Sequence, residues 1–150
     1  MGSSMSGRPK SEDARGVRPR GVTAITLLAI AGLHVAWGLG SSFPFRSRQE
    51  LADSVVGTDD VPPAVACMAV AALLVLAAAL VTGSLPLPVR LRSVALRVVV
   101  AVLTTRGVAG ALGRTSSLSP GSVSPTFVRL DKRLYAPLCL WLAAGVRRSI

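Results

Sequence analysis

Within an otherwise apolar chain, the residues whose types could do chemistry are His34, Trp37, Cys67, Arg106, Asp131, Tyr135 and Cys139. His34 is the sole histidine, and an imidazole can titrate near neutral pH or ligate a metal. Arg106 carries a permanent charge that asks for a carboxylate, which Asp131 could supply. Asp131, Tyr135 and Cys139 recur at i, i+4 and i+8, so on one helix they would stack along one face. Cys67 and Cys139 each stand alone in an apolar run, with no CxxC pair and no His/Cys metal spacing. They read as two small buried hydrophobes, with a redox or disulfide role as the alternative. The chain has no nucleophile elbow, phosphate loop, paired catalytic carboxylates or metal-ligand helix motif. The expectation is therefore a protein with no catalytic residue, no metal and no cofactor.

Composition indicates the elements that must position these groups. Of 150 residues, 51% are hydrophobic and only 16% charged, with a mean hydropathy of +0.56, beyond ordinary soluble usage. The net charge of +10 would suggest nucleic acid in a soluble protein. Here the cations flank or punctuate apolar runs and only 4% of residues are aromatic, so bases would have no stacking platform. The partner implied is the lipid bilayer, with a membrane protein or a second copy of the chain as further partners, and no nucleic acid.

Residues 1–20 are Ser, Gly, Pro and charge without an apolar period, which reads as a disordered basic tail. Residues 21–40 and 61–83 are uncharged runs, each long enough at about 1.5 Å per residue to cross about 30 Å of hydrocarbon. Pro62 and Pro63 sit where a helix starts. A third helix is expected over 91–112, with Arg97 snorkelling to the headgroups and Gly107, Gly110 and Gly113 thinning one side for close packing. Arg106 lies deeper, where an arginine costs about 2.5–3.5 kcal/mol unless compensated. The fourth helix, 131–148, has only 13 uncharged residues between Arg133 and Arg147, so it spans only with both charged ends at the headgroups. Residues 41–60 and 114–126 read as outer loops, the first polar, the second Ser/Pro-rich. The fold expected is all-α, an integral membrane four-helix bundle in one domain over 21–150. The basic tail and the basic 84–92 connection place both termini in the cytoplasm of a multi-pass protein of the cell membrane.

Counted inward from the outer ends, His34, Cys67, Arg106 and Tyr135 all fall within about 6–11 Å of one surface. Polar groups in lipid must satisfy one another. One reading is a structural clasp, Arg106 paired with Asp131, His34 bonded to a carbonyl or to Tyr135, and Trp37 anchoring the interface; the protein would then be a structural or accessory membrane component. The alternative is an outward-facing polar pocket formed by His34, Trp37, Arg106, Asp131 and Tyr135 for a quinone, lipid headgroup, haem or solute.

Three stretches, HVAWGLG (His34, Trp37, Gly40), the segment around Arg106 and Gly107, and FVRLDKRLYAPLCLWL (Phe127, Asp131, Tyr135, Pro137, Leu138, Cys139, Leu140), together resemble a family of small bacterial four-helix membrane proteins. That family is known only as a domain of unknown function, number 3995. The resemblance covers about residues 20–148. The family has Trp before the Asp, where this chain has Leu130, and an acid after the Arg-and-Gly segment, where this chain has Ala109, Gly110 and Ala111. That lost acid leaves Asp131 as the only nearby carboxylate for Arg106. The resemblance implies four helices and supplies no activity.

Overall fold

The computed structural model describes residues 13–57, 61–114 and 124–150, with side chains from Arg20 onward. The described residues are helices and connecting turns. In chain order the helices are α1 (Asp13–Gly38), α2 (Arg48–Leu51), α3 (Ala64–Thr82), α4 (Val89–Ala111), α5 (Pro125–Leu130) and α6 (Ala136–Arg147). A π-helical turn, Ala52–Val56, continues α2, and a second, Asp131–Tyr135, joins α5 to α6. The four long rods, α1, α3, α4 and the α5–α6 unit, form an all-helical bundle. Helix α1 packs chiefly on α3 and α4 chiefly on α6, and the two pairs meet through α1 with α6 and α3 with α4.

Local chemistry sets the boundaries. Pro63 and Pro88 precede α3 and α4, where a missing N–H costs nothing. Gly83 (φ +75°) and Gly113 (φ +67°) adopt the left-handed conformation that lets the chain leave each helix. After each, the next amide turns back to the helix: Ser84 N–H to the Ala79 carbonyl at 3.1 Å and Arg114 N–H to that of Ala109 at 2.9 Å. Gly113 thus acts as a terminator, whereas Gly107 and Gly110 are buried in the packed face.

Several bounds differ from those expected from the sequence. Helix α1 is already under way at Asp13, eight residues before Gly21; residues 1–12 of the expected tail lie outside the described residues, as do 58–60 and 115–123 of the two expected loops. The fourth rod starts at Pro125, because Ser124 caps it by accepting the Thr126 N–H at 3.2 Å and Pro125 suits its first turn. Residues 41–57, expected as a polar loop, carry α2 and its π-turn, which bury Leu51, Ala52 and Ser54. This segment has an N-cap that sequence reading could have caught: Ser47 accepts the Glu50 N–H at 3.1 Å, and the Glu50 carboxylate accepts the N–H of Arg46, the residue before the cap, at 3.0 Å. The second π-turn has a cause in Pro137. A proline ring in a continuous helix crowds the carbonyl four residues back, here that of Arg133, and widening the turn relieves it.

The two ends of the bundle differ. Near the short 83–88 connection, Leu27 of α1, Leu80 and Val81 of α3, Leu96 of α4 and Leu142 and Val146 of α6 close into one apolar core. There Arg92 caps α3, donating to the carbonyls of Leu80 (2.9 Å) and Val81 (3.3 Å). At the other end, the loop end, helices give way to α2, the π-turns and α5. Large apolar side chains also point outward, Val65 at 80% and Ile25 at 68% exposure among them. Among the described residues three helices, Arg20–Gly38, Ala64–Thr82 and Val89–Ala111, are long and apolar enough to cross a membrane.

Candidate functional site

The loop end holds the chemistry-bearing residues in two neighbouring groups. The first is an ion pair between α4 and the second π-turn. Arg106 Nη2 lies 2.8 Å from Asp131 Oδ1, and Nη1 donates to Oδ2 at 3.3 Å, a two-pronged geometry that guanidinium and carboxylate favour. Asp131 is 1% exposed and Arg106 33%, so the carboxylate is sealed while one side of the cation stays accessible. Asp131 is the only acid between residues 61 and 150. Gly110, one turn beyond Arg106, makes the room: a Cβ there would come within 2.9 Å of Arg106 Nη1 and of both Asp131 carboxylate oxygens. Gly107 does the same for packing, since a Cβ would sit 2.8 Å from Leu140 Cγ. Both glycines on α4 therefore let the pair and α6 approach the backbone.

The second group is aromatic and lies on the last turns of α1. His34 and Trp37 rings stand 4.9 Å apart. The His34 Nδ1 is 2.8 Å from the Ile30 carbonyl of its own helix, an acceptor to which Nδ1–H donates. Trp37 Nε1 donates to the Phe43 carbonyl at 2.7 Å, holding the chain that leaves α1.

Between the groups lies a cavity of about 390 Å3. His34 and Trp37 line it from α1, Leu51, Val55 and Val56 from the cap formed by α2 and its π-turn, Ala66, Cys67 and Val70 from α3, Arg106 from α4 and Phe127 from α5. Its walls are apolar apart from the imidazole, the indole, the guanidinium and a thiol. That is the usual make-up of a small-molecule site, and the size is within the usual range.

Not every residue expected to meet does so. Tyr135 leaves the cavity wall: its hydroxyl donates to the Ser54 carbonyl at 3.1 Å, and its ring lies 6.4 Å from that of Phe127. Asp131 and Tyr135 bound the π-turn, whose wider spacing of residues around the axis aims the Tyr135 side chain differently from its direction in a straight helix. His34 is hydrogen-bonded within its own helix rather than to Tyr135. Cys67 and Cys139 are free thiols, Cys67 buried beside the cavity and Cys139 half-buried on α6. Among the described residues no group of three or more His, Cys, Asp or Glu side chains could hold a metal ion. The cap is the part that sequence reading misses, and it is stitched down by Tyr135 and by the Ser124 N–H donating to the Gly57 carbonyl at 2.9 Å.

A family model described as a protein of unknown function, DUF3995, matches residues 27–146, a span holding every residue of the pair and the cavity. The chain belongs to this family. No curated protein and no solved structure matches it. As a member of DUF3995 it inherits no assigned activity.

Proposed function

We propose that this chain is a multi-pass protein of the cell membrane, with both termini cytoplasmic, and that its loop-end cavity receives one small amphiphilic molecule from the outer side. The observation carrying the reading is the cavity itself, a mostly apolar space of about 390 Å3 with His34 and Arg106 both on its wall. An apolar ring or chain would lie against Trp37, Val70 and Phe127, while a carbonyl or anionic oxygen would accept from Arg106. His34 Nε2 would accept from a hydroxyl. A quinone head or a lipid headgroup fragment has this combination. Asp131 keeps Arg106 in place without closing it off, because only the carboxylate is buried.

Two measurements test this. Protein purified in detergent should release one molecule per chain on solvent extraction, identified by mass spectrometry and absorption. Ala66→Phe should abolish the co-purified molecule by filling the cavity, with the melting temperature kept. If the wild-type protein releases nothing, the structural or accessory reading, alone or with a membrane partner or a second copy, takes its place. The topology rests on the cationic tail, the 84–92 connection and Arg147 and Arg148. A reporter active only in the cytoplasm should signal when fused after Ile150; signal from a periplasm-only reporter there would reverse it.

A further inference from the structure

The opposite end of the molecule has a different kind of recess. On the seam between α4 and α6, two adjoining hollows of about 410 and 560 Å3 share Val100 and Arg147. One is rimmed by Arg97 and Arg147; the other runs up the seam past Thr104, Ala144 and Leu140. Small side chains keep this furrow open, and Leu140, seated against Gly107, closes its upper end. From Arg97 to Thr104 the furrow runs along α4 for about 10 Å.

Charge decides what it fits. Arg97, Arg147 and Arg148 are exposed at one end of the furrow, and the only acid between residues 61 and 150, Asp131, is engaged at the opposite end of the bundle. An apolar furrow with a cluster of guanidiniums at its mouth complements a phosphate that carries an acyl chain. We infer that the α4–α6 furrow is a specific site for an anionic phospholipid, its phosphate between Arg97 and Arg147 and one acyl chain along Val100, Thr104 and Ala144. The side of the membrane is the one to which anionic headgroups draw clustered cations. The inference rests on the membrane reading above and is independent of the loop-end cavity.

The test is lipid titration of the detergent-purified full chain, read by native mass spectrometry, with phosphatidylglycerol and phosphatidylcholine of identical acyl chains. Wild type should retain one phosphatidylglycerol in preference to phosphatidylcholine. Arg97→Gln and Arg147→Gln should each reduce that preference by about fivefold, the worth of one cation near an anionic surface. Arg90→Gln, an exposed cation at the same end but off the furrow, should leave it unchanged. Ala144→Phe should lower retention of both lipids by blocking the acyl path. Equal retention of the two lipids by wild type, or an Arg90→Gln effect as large as that of Arg97→Gln, would overturn the site in favour of diffuse attraction. A chain that remains dispersed in water without detergent would instead remove the membrane reading itself.

Discussion

The two ends of this bundle are built on opposite principles. At the 83–88 end, all four rods contribute Leu, Val and Ala to a closed core, and Arg92 reaches inward to satisfy helix carbonyls. At the loop end, α1 and α3 still touch closely at Gly38 and α4 and α6 at Gly107, but a cavity opens among them, and an ion pair, two π-turns and a cap complete the structure. Tight packing at one end tolerates loosening at the other. Functional sites commonly sit where packing is given up in this way.

The contrast is tested hardest at the ion pair. Asp131→Ala leaves a half-buried arginine uncompensated and Arg106→Ala leaves a sealed carboxylate, so each should cost about 3–5 kcal/mol. The double variant should recover part of the loss, because the two residues act as a unit. Thermal melts in detergent read this directly. Simple addition of the two single losses would mean that the loop end is not held by the pair.

At the closed end the matching change is Leu96→Ala. Leu96 is fully buried, but within a bilayer the unfolded helices also bury their side chains in apolar surroundings, so most of the loss is packing. About 2 kcal/mol is expected, the bottom of the range for such truncations. The loss should be no larger than that of Asp131→Ala, and a larger one would invert the ranking of the two ends.

How far these ends can be read from the sequence differs for the same physical reasons. Apolar runs of spanning length reveal α1, α3 and α4 because length and hydropathy are properties of a single segment. The contact of Arg106 with Asp131 is legible from charge, since the chain past residue 60 has no other acid. The cap is hidden: Leu51, Ala52 and Ser54 lie in a segment with Glu50 and Asp53 whose burial depends on partners from α5 and the second π-turn. The π-turn is hidden too. Its signal is Pro137, which reads as a helix start until Ser124 and Pro125 are recognised as the true one.

The smallest expected effect concerns how the cap is tied to the loop end. Tyr135→Phe removes the hydroxyl that donates to the Ser54 carbonyl and keeps the ring beside Phe127. One such bond is worth about 0.5–1.5 kcal/mol, too little to disturb the ion pair or the core. Its consequence should be local. Amide hydrogen exchange across residues 48–57 should quicken by about two- to tenfold, as expected when a segment's opening becomes easier by about 0.5–1.5 kcal/mol, while amides in the middle of α3 keep their protection. Because Leu51, Val55 and Val56 form one wall of the cavity, the same variant should release any bound molecule faster. Unchanged exchange over 48–57 would mean that the backbone tie from Ser124 to Gly57 and the burial of Leu51 hold the cap without Tyr135, and that the hydroxyl serves only to satisfy a carbonyl.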